Sequence, residues 1–486
     1  MMRTLTIERT AAILLFALIF ALAARVPVDT DTWWHLRSAD HILTRGFITA
    51  DPFSLTMQGE AWINHSWGAQ IILLGFWRVG GFLGLTIYMA GLATAGMFMV
   101  YRTAAVMGAN SVYVRAFAVV IGATAAAVFW SARPQMISFF LSAVVLYLLA
   151  LYKYRRVDRL WLFVPLMALW GNLHAGFSIG FIFLSGFIAG EIVGNVFAPQ
   201  SETAVGWRRI GKLILVALIS VAAIAINPYG LQMLLVPFQT IGIGALRSFI
   251  QEWNSPNFQE RQTWGFILLL FGTLGALGAS KRALAWSDFV LLSGTGFLAL
   301  TAGRNISVFA VVVTPIFAVH LDAALRERGW VVRAVRRPSR LMATVNALIV
   351  VVVLLGAAAK TLLVLDRRVV DAEMRRILPV AAVEALQDDD LSAVRMFNSY
   401  NWGGYLMFAL PDVPVFVDGR TDLYGDALLT RYLRTALGGE GWRETLDEYR
   451  INLVIVETGS GLARNLADEP GWQIAHEDVL AMVFRR

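Results

Sequence analysis

Long apolar stretches fill most of the chain, parted by short polar or charged breaks. A helix needs about 20 mostly apolar residues to cross a bilayer. The first such stretch runs from Thr10 to Ala24, and reaches Val28 if Arg25 snorkels. Val26-Pro27 follows in place of a small-residue cleavage site, so the segment reads as a retained signal anchor. Further stretches lie at 82–101, 115–131, 134–152, 157–173, 175–195, 210–226, 263–279, 286–302, 305–321 and 342–365. The stretch 231–246 is apolar but short and holds Pro237, so it reads as an interfacial or re-entrant piece. The pattern predicts an α-helical polytopic membrane protein with about 11 transmembrane helices, in a membrane domain spanning 1–365.

Two parts break this pattern. One is the first outer loop, 25–81, where amphipathic stretches predict surface helices. The other is the tail, 366–486, where charge rises. Strand-like runs at 393–397, 413–417, 452–456 and 480–484 alternate there with helical patterns at 401–410, 427–437 and 442–449. The tail therefore reads as a small α/β domain, long enough to bury its own core.

Composition agrees. Hydrophobic residues make up 57% and charged residues 15%, against about 45–50% and 25% in soluble domains. That excludes a soluble enzyme and a disordered chain. The absence of Cys excludes thiol catalysis, Cys-ligated zinc and disulfides. The net charge of +7 needs no nucleic-acid partner, because membrane proteins gather Lys and Arg in cytoplasmic loops. Alternate loops hold Arg102; Lys153, Arg155, Arg156 and Arg159; Arg208, Arg209 and Lys212; Lys281 and Arg282; and Arg326, Arg328, Arg333, Arg336, Arg337 and Arg340. These loops are predicted to be cytoplasmic, in a cytoplasmic (inner) membrane. The N-terminus is then inside, and an odd number of spans leaves the tail extracytoplasmic.

The polar residues on the outer side carry the chemistry. The first outer loop opens Asp29-Thr30-Asp31-Thr32-Trp33-Trp34-His35. Asp31 precedes a helical pattern, which suits an N-cap. Equally, Asp29 or Asp31 suits a general base or, with His35, a divalent metal site for Mg or Mn. Asp31 and His35 share a helix face at i,i+4 spacing. His65 follows in Trp62-Ile63-Asn64-His65-Ser66-Trp67. The other outer turns contribute Arg133, then Asn172 and His174, then Asn227-Pro228, then Arg304 and Asn305. Ionisable groups at membrane depth are costly and mark function or cavity lining. Arginines there suit an anionic phosphate headgroup. In the tail, Asp418-Gly419 after a strand-like run is an ordinary turn. Its functional alternative puts Arg420 and Asp422 at a strand end facing the acceptor.

The layout from the first span to the second resembles the GT-C superfamily of polytopic glycosyltransferases. Its features are the acidic pair Asp29 and Asp31, a helix to Gly46, Asp51-Pro52, the Trp62–Trp67 stretch and a second surface helix. Protein O-mannosyltransferases, the lipid A aminoarabinose transferase and oligosaccharyltransferases are similar. The resemblance implies that Asp31 or Asp29 activates the acceptor or binds metal. It also implies a sugar donor on polyprenyl phosphate or diphosphate, held by Arg133 and Arg304. The oligosaccharyltransferase Trp-Trp-Asp signature is absent from the tail, which disfavours transfer to protein Asn.

The expected function is transfer of a sugar from that lipid to a glycan, lipid or protein acceptor on the outer face. Two rivals belong to other classes. A transporter or flippase of lipid-linked glycans would place its ionisable groups near the midplane and show repeated halves. This chain has polar groups at one edge and no visible repeat. A non-catalytic cell-envelope assembly protein would retain its role without any transfer chemistry.

Overall fold

The structure is a computed structural model and describes residues 5–201, 203–244, 250–331 and 338–486. The basic residues Arg333, Arg336 and Arg337, and the last two positions of 231–246, lie outside the described residues.

Every predicted span is helical. In chain order the helices are α1 (Ile7–Ala23), α2 (Thr32–Arg45), α3 (Trp67–Met107), α4 (Val112–Ala126), α5 (Gln135–Tyr154), α6 (Phe163–Leu173), α7 (Phe177–Phe197) and α8 (Trp207–Ile224). Then come α9 (Val236–Ile241), α10 (Trp264–Ala279), α11 (Trp286–Thr301), α12 (Ile306–Glu327) and α13 (Arg340–Val364). Among the described residues, seven helices are long and apolar enough to cross a membrane. The other four are shorter or carry more charge. Helices α1, α6 and α11 have 17, 11 and 16 residues, and α8 begins with Arg208, Arg209 and Lys212.

Helix α2 is the first helix of the 25–81 segment, where the sequence predicts surface helices. The second is the opening of α3, which breaks at Gly81. There φ is 52°, a left-handed conformation that glycine adopts without a β-carbon penalty. The break separates the predicted surface helix from the predicted span 82–101. Helix α12 is apolar on all sides and lies at the centre, with 83% of its apolar window buried. By contrast only 6% of the α13 window is buried, so α13 is a peripheral helix leaning on α1. Lys360 of α13 donates to the carbonyls of Ala21 and Ala24, satisfying orphan acceptors at the end of α1.

The tail contains a four-stranded sheet of β1 (Met396–Asn398), β2 (Leu453–Glu457), β3 (Gln473–Glu477) and β4 (Ala481–Arg485), in the order β1-β2-β4-β3. Strands β1 and β2 are parallel, and β4 is antiparallel to both its neighbours. Phe397 faces Val454, which faces Phe484, and all three are buried. Helices Tyr400–Ala409, Thr421–Ala436 and Trp442–Glu448 match the predicted helical runs.

Two strand expectations are corrected. The run 413–417 is buried and extended but stands outside the sheet. Its Val415 bridges Ser54 of the outer loop, with Leu55 N donating to Val415 O at 2.7 Å and Val415 N to Phe53 O at 3.2 Å. Conversely, β3 went unpredicted. It is an edge strand whose side chains are mostly exposed, so it lacks the apolar alternation that marks a half-buried strand.

Candidate functional site

Asp29 and Asp31 stand at the start of α2. Asp31 holds the N-cap position but makes no side-chain cap bond. Instead Asp29 Oδ1 accepts from the Asp31 backbone N at 2.9 Å. The Asp31 carboxylate is thus left for Arg133, which pairs with it at 2.6 Å through Nη1. Arg133 Nε lies 3.4 Å from Asp29, and its Nη2 lies 3.5 Å from Glu252. Glu252 in turn lies 3.8 Å from Arg304, whose guanidinium stacks 4.1 Å from the centre of the Trp253 ring. Five ionisable side chains from four parts of the chain form one string. Burial pushes the Asp31 carboxyl up to about 6, against the pull of Arg133; the negative charges of Asp29 and Glu252 push the same way as burial. Arg133 is held above its ordinary range: burial opposes this, but Asp29, Asp31 and Glu252 outweigh it.

A cavity of about 710 Å³ opens at the end of this string. Its polar lining includes His65, Gln135, His174, Glu252, Arg304 and Asn305, and its apolar lining includes Phe129, Trp130, Phe139, Ile182 and Phe297. His65 and His174 meet edge to face at 5.7 Å. His174 Nδ1 accepts from Gly176 N at 2.9 Å and sits 2.9 Å from Ser138 Oγ, so the neutral ring carries its proton on Nε2. Burial, with nearby His65, Arg304 and Arg133, holds His174 well below the ordinary imidazole range. Asn305 lines the cavity while its Nδ2 donates to Leu298 O at 3.1 Å. Asp31 and Arg133 do not line it; they lie one step back, behind Glu252.

Three predicted site residues do not line the cavity. Asn172 spends its amide on the carbonyls of Ala168 and Ile226, at 2.8 and 2.6 Å, and ties two helix ends together. His35 is buried, stacked on Trp34, with Gln70 Nε2 at 3.2 Å from its Nδ1. Gln70 is itself locked to Asn64 by two bonds of 2.7 and 2.9 Å. Arg420 is fully buried and does not face a cavity. It binds Asp418 at 2.8 and 2.6 Å and also pairs with Asp51 of the outer loop, over the rings of Phe53 and Trp62. Tyr424 Oη donates to Asp418 Oδ2 at 2.6 Å, closing the cluster.

The donors fit a resident divalent metal poorly. Among the described residues no group of three or more His, Asp or Glu side chains is placed to hold one. Both Asp29 and Asp31 engage Arg133, and His35 turns to Gln70. Glu252 is the residue that sequence reasoning missed. The available signal was the polar run Gln251-Glu252-Trp253-Asn254 between two apolar segments, on the same side as the other outer turns.

No protein-family model matches the sequence, and no curated protein matches it by sequence. The fold does match solved structures. The archaeal oligosaccharyltransferase AglB from Archaeoglobus fulgidus, in complex with an inhibitory peptide and a dolichol-phosphate, aligns with a TM-score of 0.57 at 13% identity, covering 92% of this chain and 69% of that one. ArnT from Cupriavidus metallidurans bound to undecaprenyl phosphate aligns at 0.51 and 15%, covering 98% and 97%. Mycobacterial arabinofuranosyltransferase AftD aligns at 0.50 and 15%, covering 97% of this chain and 41% of that one. The chain therefore shares the fold of these glycosyltransferases, and its seven long apolar helices suit a multi-pass membrane protein.

Proposed function

We propose that this protein is a membrane glycosyltransferase that takes a sugar from a polyprenyl-phosphate or diphosphate donor and passes it to a hydroxyl acceptor on the outer face. One observation carries the reading: a carboxylate of raised pKa is joined through Arg133 and Glu252 to the wall of a large, partly apolar cavity. Two of the neighbours bear polyprenyl phosphates in their structures, dolichol-phosphate in AglB and undecaprenyl phosphate in ArnT.

In this reading the prenyl chain lies along the apolar lining, and the phosphate competes with Glu252 for Arg304 and Arg133. Arginine suits that task because its planar fork binds phosphate oxygens in pairs. The acceptor oxygen attacks the anomeric carbon while Asp31 takes its proton. The bond from that carbon to the phosphate oxygen breaks, and the lipid phosphate leaves with the electron pair beside the guanidiniums. Attack in line inverts the anomeric centre. His65 and His174 face the same cavity as hydrogen-bonding groups for the sugar or phosphate. Asp29 keeps Asp31 in place through its backbone N. The membrane part carries eleven spans with the N-terminus inside, and the tail is extracytoplasmic.

The test is transfer by purified protein supplied with a polyprenyl-phosphate sugar. Asp31→Asn should slow transfer by about 10²–10⁴-fold, with the protein still folded and monodisperse. A variant as active as the wild type would remove Asp31 from the reaction.

A further inference from the structure

Asp31 belongs to the outer loop, yet tail atoms are packed directly on it. Gly419 sits so close that a β-carbon there would overlap Asp31 Oδ1 and lie 3.0 Å from both its Cγ and Trp34 Nε1. Gly404 approaches from another tail element; its β-carbon would lie 2.7 Å from Thr30 O and 3.1 Å from Trp34 Cδ1. Neither glycine has a positive φ, so each position demands room and not a special backbone conformation. Gly419 is also fixed in place. Its neighbours Asp418 and Arg420 belong to the fully buried cluster that grips Asp51.

A carboxylate on a single ion pair is free to turn, because the last torsion of Asp is broad. Arg133 holds Oδ2 of Asp31, and Gly419 abuts Oδ1. We propose that Gly419 and Gly404 are positioning residues, and that the tail backbone is the wall that keeps the Asp31 carboxylate turned toward Arg133. The tail is then part of the reaction centre without touching substrate. This rests on the role assigned to Asp31 above.

The experiment compares full-length Gly419→Ala, Gly404→Ala, Asp31→Asn and the control Gly459→Ala. Gly459 has open space around it and no positive φ, so alanine there should leave transfer unchanged. Gly419→Ala should lower kcat by about 10²-fold, the usual consequence of displacing a reacting group by about 1 Å, with donor KM unchanged. Its pH–rate profile should move to higher pH, as the carboxylate leaves the guanidinium that favours its charged form. The double variant Gly419→Ala/Asp31→Asn should be no slower than Asp31→Asn alone. If Gly419→Ala does not fold, Gly404→Ala carries the same readouts. A wild-type kcat and pH profile in the folded glycine variant would overturn the proposal. So would a loss that leaves the pH profile in place and adds to that of Asp31→Asn. An active Asp31→Asn overturns the functional reading itself; an inactive one beside a wild-type Gly419→Ala overturns only the positioning role.

Discussion

A single carboxylate sets the pH behaviour expected of this protein. Asp31 is a quarter exposed, and burial lifts it to about 6 even beside Arg133. A base must be deprotonated to work, so the sign is fixed: transfer should fall as pH drops below about 6, by about tenfold per unit. An ordinary aspartate would sustain the rate to about pH 4. Arg133→Gln removes the strongest influence that lowers the Asp31 pKa, so its acid limb should lie at higher pH than the wild type's. A pH–rate series on both proteins under saturating donor measures this, and a profile flat to about pH 4 would discard Asp31 as the base. At this scale much was legible in the sequence. Asp29, Asp31, Arg133 and Arg304 stood out as ionisable residues at outer turns, and the structure joins them. Glu252, the partner that Arg133 and Arg304 share, did not, because it lies beside a short apolar piece that has no clear helical period. The partners of His35 and Asn172 were not legible for a shared reason: a polar residue at a membrane boundary can bond to neighbouring amides and carbonyls, and spacing does not reveal which.

Between elements, the strongest tie outside the membrane part is the Arg420 cluster. It joins the tail to an outer-loop residue 369 positions away. The sequence marked Asp418-Gly419 as a turn but held no sign of Asp51 as the partner, since ion pairs at such separation leave no local pattern. Removing one member of a buried charge cluster leaves the others uncompensated. Arg420→Ala should therefore destabilise the protein by about 3–5 kcal/mol, because Asp51 and Asp418 are both fully buried. Thermal unfolding in detergent tests it. A melting temperature equal to that of the wild type would show that the other tail–loop contacts, among them the backbone pairing of 53–55 with Val415, hold the tail without the cluster. The same pairing explains the misplaced strand at 413–417. Its apolar run is truly buried, but its hydrogen-bond partner is a loop from another region of the chain.

For the whole molecule, helix count and sidedness rest on different physics. Apolar length predicted the helices well, and each predicted span is helical. Apolar length is weakest at α6, whose 11 residues rise about 16 Å at 1.5 Å each, so its place among the eleven proposed spans rests on the basic loop before it. Sidedness rests on the Lys and Arg bias, which is a property of loops and not of packing. The absence of Cys makes it measurable, since one introduced thiol is the only one present. Ser392 in the tail and Ala283 in the Lys281-Arg282 loop are both exposed. With a membrane-impermeant maleimide on intact spheroplasts, Ser392→Cys should label and Ala283→Cys should label only after permeabilisation. The reverse pattern would invert the protein and move the Asp31 site to the cytoplasmic face. Labelling of both from outside would mean an even number of spans between them, and α11 through α13 would then need a different count. Only the first pattern both puts the tail, and with it Gly419 and Asp31, outside the cytoplasm and keeps the odd number of spans between the two labels.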